Sequence, residues 1–166
     1  MQVLGDVVVE VNESFLVLLN LAINATLADN AAIGTIIDDD SLLLVTEFDS
    51  ERAIALDSVL FLRDPFPIVN TLNLSFDQRT RIILFATGLK LMPGEDASSV
   101  TALAEDSQGG LHPLTVEFVG NVPSLNWLTQ VVIKLPDQLT NAGDVRVSIS
   151  LHGATSNKAI ISIKPS

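Results

Sequence analysis

The sequence predicts an all-β protein, and three observations carry that prediction. The apolar residues, 48% of the chain, are mainly Val, Ile, Leu and Ala with few aromatics (5%, and no Tyr), a mixture that favours pleated, half-buried strands. Short apolar runs recur at fairly even spacing with turn residues between them. No long stretch repeats with the 3.6-residue period of a helix. At 166 residues the chain is long enough for one large or two small domains with a real core.

Taken in order, Val7–Val11 reads as a strand and Asn12–Ser14 as a polar break. Phe15–Asn20 and Ala32–Ile37 form the arms of a hairpin around the turn-rich stretch Asn24–Asn30. A hairpin this short is marginal alone and needs further strands. Ser41–Glu47 is a further apolar stretch, and Phe48–Arg52 a loop or linker. Ala53–Leu56 supplies one helical turn at most. Seven β-like runs follow: Ser58–Arg63, Arg81–Thr87, Ser99–Glu105, Leu114–Val119, Leu128–Leu135, Val145–Leu151 and Ala159–Lys164. Asp64-Pro65, Pro93-Gly94, Gln108-Gly109-Gly110, Val122-Pro123, Ala142-Gly143-Asp144 and His152-Gly153 punctuate them. Seven strands at this spacing predict an immunoglobulin-like β-sandwich.

Charge divides the chain in the same way. Net charge is −11. Residues 1–40 hold seven acids and no Lys or Arg, whereas residues 41–166 hold thirteen acids and all nine bases. An anionic surface argues against nucleic acid and against docking onto anionic lipid. Cysteine is absent, which excludes disulfides and thiolate metal sites. The start Met1–Asp6 lacks the basic and apolar regions of a signal peptide, so an exported protein would carry its leader outside this chain. The apolar run Phe15–Ala25 is too short, and too broken by Asn20 and Asn24, to insert into a membrane.

The richest local signal is Gly34-Thr35-Ile36-Ile37-Asp38-Asp39-Asp40, which sets three carboxylates side by side where an alternating strand stops. Adjacent anions repel unless a cation sits among them, and a hard divalent ion with oxygen ligands answers that need. The alternative is a solvated acidic turn.

With Val9-Glu10-Val11-Asn12-Glu13-Ser14-Phe15, Asn24-Ala25-Thr26-Leu27 and Asp29-Asn30, that run resembles the C-terminal half of a Calx-β domain. The resemblance covers the last strands of that sandwich only. It implies calcium, with Asp6, Glu10, Asp38, Asp39 and Asp40 on ligand positions. Ligands from the first strands have no counterpart here, so weak calcium binding is the expectation. Residues 57–166 resemble an immunoglobulin-like C-terminal module of secreted bacterial multidomain proteins, through Arg63-Asp64-Pro65-Phe66-Pro67, Asp77-Gln78-Arg79-Thr80-Arg81, Gly120-Asn121-Val122-Pro123, Trp127–Val131, Leu135-Pro136, Gly143–Val147 and Ser156-Asn157-Lys158. The expected organisation is a partial Calx-β domain over 1–40, a linker or first strand over 41–56, and the immunoglobulin-like sandwich over 57–166.

Other side chains carry weaker signals. Arg79, Arg81, Asp64 and Asp77 read as surface ion pairs. Trp127, the one tryptophan, reads as a plug at the sandwich edge, with stacking on a sugar ring as the alternative. His112 and His152 lack the spacing of a metal site or a triad. No P-loop, dinucleotide or Gly-x-Ser-x-Gly motif occurs. Asn12, Asn24 and Asn73 head glycosylation-type tripeptides of the kind that arise by chance. These signals lead to a non-enzymatic, secreted or cell-surface module that spaces or presents its neighbours. Its expected partners are other domains of the same polypeptide, a surface protein or a glycan. The alternatives are a carbohydrate-binding module and a strand-mediated assembly module that forms homo-oligomers through the N-terminal hairpin.

Overall fold

The computed structural model describes residues 13–19, 29–36 and 41–165. The chain divides into two compact units, Met1–Ser41 and Leu42–Ser166. In the first unit, β1 (Glu13–Leu18) pairs antiparallel with β2 (Ala31–Ile36). Asp29 Oδ1 accepts a bond from the Ala31 amide at 3.0 Å, and Leu19 N donates to Asn30 O at 2.9 Å. Phe15 lies directly opposite Gly34. A Cβ at Gly34 would fall 2.4 Å from Phe15 Cζ, so the ring fits there only because glycine leaves the space. Leu16, Val17, Leu18 and Ile33 are exposed, which leaves apolar side chains on both faces of the hairpin. The strand expected at Val7–Val11 lies outside the described residues.

The second unit contains β3 (Leu43–Leu44), β4 (Ala55–Asp57), β5 (Arg81–Thr87), β6 (Thr101–Glu105), β7 (Leu111–Val122), β8 (Leu125–Lys134), β9 (Asp144–Leu151), β10 (Ala154–Thr155) and β11 (Ala159–Ser162). Two 3₁₀ turns, Ala97–Ser99 and Asp137–Leu139, are the nearest approach to a helix among the described residues. All the named strands pair antiparallel, in the order β10-β9-β6-β7-β8-β5-β3, with β11 on β9 and β4 on β5.

β7 joins the two halves of this sheet. Its first residues, Leu111–Leu114, pair with β6, and Thr115–Val122 pair with β8. Pro113 falls in the part that faces β6 alone, past the Lys134 end of β8, where a missing amide proton is tolerated. A bulge at Glu117, two residues into the pairing with β8, bends the strand. At the far end the sheet nearly closes. Ala53 N donates to Ile160 O at 2.8 Å, Ile160 N to Glu51 O at 2.7 Å, and Phe66 N to Ser162 O at 2.8 Å.

Alternation places the core. Ile82, Leu84 and Ala86 of β5 and Val131 and Ile133 of β8 point inward, as do Val145, Val147 and Ile149 of β9 and Ile161 of β11; all are buried. Arg81, Phe85 and Thr87 point to the other face of β5.

Two local expectations give way. Ser58–Arg63 is a turn and loop, not a strand. The buried Asp57 carboxylate accepts from the amides of Val59 and Leu60, both at 2.8 Å, and curls the chain back at once. Ala53–Leu56 is extended rather than helical. Ala53 bridges Thr46, while Ala55 and Leu56 pair with Leu84 and Ile83.

Candidate functional site: a groove beside Trp127

The residues expected to hold calcium, Asp6, Glu10, Asp38, Asp39 and Asp40, lie outside the described residues. Among the described residues, no group of three or more His, Cys, Asp or Glu is arranged to hold a metal ion.

The expected charged cluster exists in part: Arg81 and Asp77 meet, joined by Glu117 and Lys134, whereas the side chains of Arg79 and Asp64 pair elsewhere. Arg81 leaves β5 on the outer face and grips Glu117 with two bonds, at 2.9 and 3.1 Å. It also reaches Asp77 at 2.5 Å, Ser75 Oγ at 3.0 Å and the Arg79 carbonyl at 2.8 Å. The bulge brings Glu117 to the same face. Lys134, which pairs with Arg81 across the sheet, sits 3.5 Å from Asp77 and 3.6 Å from Glu117. Arg79 pairs instead with Asp137. Asp64 belongs elsewhere: it pairs with Arg52 and accepts from the Ser162 amide at 3.0 Å.

This cluster has the electrostatics of a tie. The Arg81 guanidinium, by its hydrogen bonds, holds the Asp77 carboxyl well below the usual carboxylate range. Glu117 and then Asp77 push Arg81 above its ordinary value. A carboxyl acting as general acid needs the opposite shift.

Both histidines are paired with carboxylates, His112 across a turn and His152 between segments distant in sequence. His112 lies 2.7 Å from Asp106, which also accepts from the amides of Gln108 and Gly110 at 2.9 and 2.8 Å. His152 lies 2.7 Å from Glu95, which accepts from the Met92 amide at 2.7 Å. In each pair the histidine bond is the largest influence holding the carboxyl below its ordinary value. Asn73 is buried. It donates to the Arg79 carbonyl at 2.7 Å and accepts from the Ser75 amide at 2.9 Å, so its amide is committed and inaccessible to a glycosyltransferase.

The side chain whose placement differs most from expectation is Trp127. It is 64% exposed rather than packed as a plug. The β7–β8 hairpin explains why. Val122 pairs with Leu125 across the corner Pro123-Ser124, where Ser124 takes φ 68°. The next rung is Asn121 with Thr129. Asn126, Trp127 and Leu128 therefore have no counterparts on β7 and leave the ladder as a bulge, which re-aims their side chains.

Trp127 and Asn126 form one side of a groove of about 390 Å³, and the segment Gly88–Leu91 after β5 forms the other. Thr129 links the two sides, donating from its buried hydroxyl to the Leu89 carbonyl at 3.1 Å. Asn121 lies 3.4 Å from the same hydroxyl oxygen, so its amide is anchored at one end.

A signal for this groove was present in the sequence. Leu128–Leu135 alternates, but the residues between Pro123 and Leu128 are too many for a tight hairpin. That surplus is the bulge. No protein-family model matches this chain, nor does any characterised protein or solved structure.

Proposed function

We propose that the chain is a non-catalytic module of an extracellular multidomain protein, a partial Calx-β hairpin followed by an immunoglobulin-like β-sandwich, which works as a spacer or adhesion module. One observation carries this reading: several ion pairs of the second unit tie together segments far apart in sequence. Arg52 meets Asp144, Arg79 meets Asp137, Arg81 meets Glu117, and Lys158 meets Glu105 at 2.5 Å. Each exposed pair contributes only about 0–1 kcal/mol. Spread around the sheet, they oppose shear between strands, which suits a rigid spacer.

The test is replacement. In a parent protein, exchange of residues 1–166 for a Gly/Ser linker of equal length is expected to broaden the distribution of distances between flanking domains, measured by small-angle scattering. An unchanged distribution would refute the spacer role.

Calcium belongs to the same reading, through the adjacent carboxylates of Asp38, Asp39 and Asp40, and would stiffen the chain at that run. A weak extracellular site has a Kd of about 1 mM, and about 10 mM calcium would then stabilise the bound form by about 1.4 kcal/mol. The expected result is a rise of roughly 3–5 °C in the melting midpoint relative to EDTA. Magnesium should not reproduce it, and Asp39→Ala should abolish it. No rise at this concentration would remove the metal from the reading.

A further inference from the structure

We propose that the groove beside Trp127 is a carbohydrate subsite that takes a neutral pyranose ring against the indole. The proposal goes beyond the spacer reading and stands or falls separately from it. Three features of the groove bear on ligand class. Its one aromatic side chain is the sole tryptophan, held out of the ladder by the Asn126–Leu128 bulge and 64% exposed. Among the described residues neither the indole N–H nor the Asn126 amide has a hydrogen-bond partner within the chain. The Asn121 amide, anchored through Thr129, lies alongside.

A pyranose matches each of these. Its C–H face is apolar and flat enough to lie on an indole, and its rim is a ring of hydroxyls. Each hydroxyl both donates and accepts, as does each carboxamide, so two amides beside one aromatic face satisfy a sugar edge. A wholly apolar ligand would strip water from the Asn126 amide and the indole N–H and leave them unpaired. Polyanions fare worse. Lys90 is the only charged residue of the lining, and the chain carries a net charge of −11. The volume of about 390 Å³ lies near the low end of small-molecule clefts, roughly 300–1,000 Å³, and suits a short saccharide rather than a folded partner. The groove is also built before any ligand arrives, because the Thr129 hydroxyl fastens the Leu89 side to the hairpin side. A preformed site loses little freedom on binding.

The single indole makes the experiment direct. The protein is titrated with cello-, chito-, xylo- and manno-oligosaccharides, with heparin and polygalacturonate as anionic controls, while Trp127 emission is recorded. The expected result is a saturable change in intensity with a blue shift for at least one neutral glycan. Affinity electrophoresis in the responding glycan then reads the variants. Trp127→Ala is expected to weaken retention at least about tenfold, and Asn126→Ala by about three- to tenfold, as loss of a stacking face and of one polar contact predict. Trp127→Phe, which keeps a smaller ring, should fall between wild type and Trp127→Ala. Because both side chains are exposed, the melting midpoints should match wild type. A flat emission response across all the neutral glycans would overturn the proposal. So would retention unchanged in Trp127→Ala, or a response confined to the anionic controls.

Discussion

Thr80 is a fully buried residue whose hydroxyl has no hydrogen-bond partner among the described residues. Its backbone is well used: Thr80 N donates to Ile68 O at 3.0 Å, and its carbonyl accepts from Leu135 N at 3.0 Å. The side chain alone is unsatisfied, and an unpaired buried hydroxyl costs about 1–3 kcal/mol. Thr80→Val keeps the branched shape and removes the orphan oxygen. It is expected to raise stability by about 1 kcal/mol, read as a higher urea midpoint at unchanged slope; a lower midpoint would show that the hydroxyl is bonded in solution. Asp57 is the opposite case. Its buried carboxylate is satisfied by two amides and by Asn70 Nδ2 at 3.1 Å, and so fixes the turn that ends β4. Residue type alone does not separate these two. A threonine and an aspartate both read as surface residues in sequence, and only the tertiary partners, Asn70 among them, decide. Trp127 shows the same limit, since an aromatic beside a strand start reads as a plug until the pairing of Asn121 with Thr129 shows that it sits in a bulge.

At the scale of elements, the N-terminal hairpin depends on Gly34. Phe15 lies across the strand from it, and a Cβ there would come within 2.9 Å of three ring atoms. The glycine of Gly34-Thr35-Ile36-Ile37 is thus a seat for an aromatic ring on the neighbouring strand. Gly34→Ala should expel the ring and forfeit a cross-strand contact of about 0.5–1 kcal/mol. The check is hydrogen exchange. Amide protection over Leu16–Leu18 should fall in Gly34→Ala, and fall little further in Gly34→Ala combined with Phe15→Ala. Protection in β5 and β8 should not change, and if Leu16–Leu18 kept wild-type protection the ring would not depend on the glycine. Two strands were legible in sequence: Arg81–Thr87, an apolar run, coincides with β5, and Val145–Leu151, which alternates, lies within β9. Ser58–Arg63 was not, because the Asp57 carboxylate, held by tertiary partners, turns the chain there. The ends of β7 and β8 were misjudged for a related reason. Pro113 and the corner at Pro123 look like strand breaks, yet β7 tolerates Pro113 where it pairs with β6 alone.

For the whole molecule, charge sets the response to pH. Four carboxyls of the second unit are held below their ordinary values: Asp77 chiefly by Arg81, Glu95 by His152, Asp96 by Ser98 and Asp106 by His112. In the unfolded chain they titrate near the ordinary 3.8 for Asp and 4.5 for Glu. Between the lowered and the ordinary values the unfolded chain binds more protons, so stability rises with pH across that window. The contribution of these groups is therefore fully present above about pH 4.5 and is lost as pH falls through the lowered values. Net repulsion acts the other way. The charge of −11 shrinks as pH approaches the isoelectric point near 4.3, which favours the compact state. Together these terms predict a melting midpoint that holds or climbs slightly from pH 7 to pH 4.5 and then drops steeply below about pH 4. Asp77→Asn and Glu95→Gln remove two of the titrating groups that the native state keeps ionised. Each should lower the midpoint at pH 7 and flatten the acid limb, so that variant and wild-type curves converge at low pH. Curves that stay parallel through the acid limb would mean that these carboxyls titrate alike in the folded and unfolded chains, and that acid sensitivity arises elsewhere in the molecule.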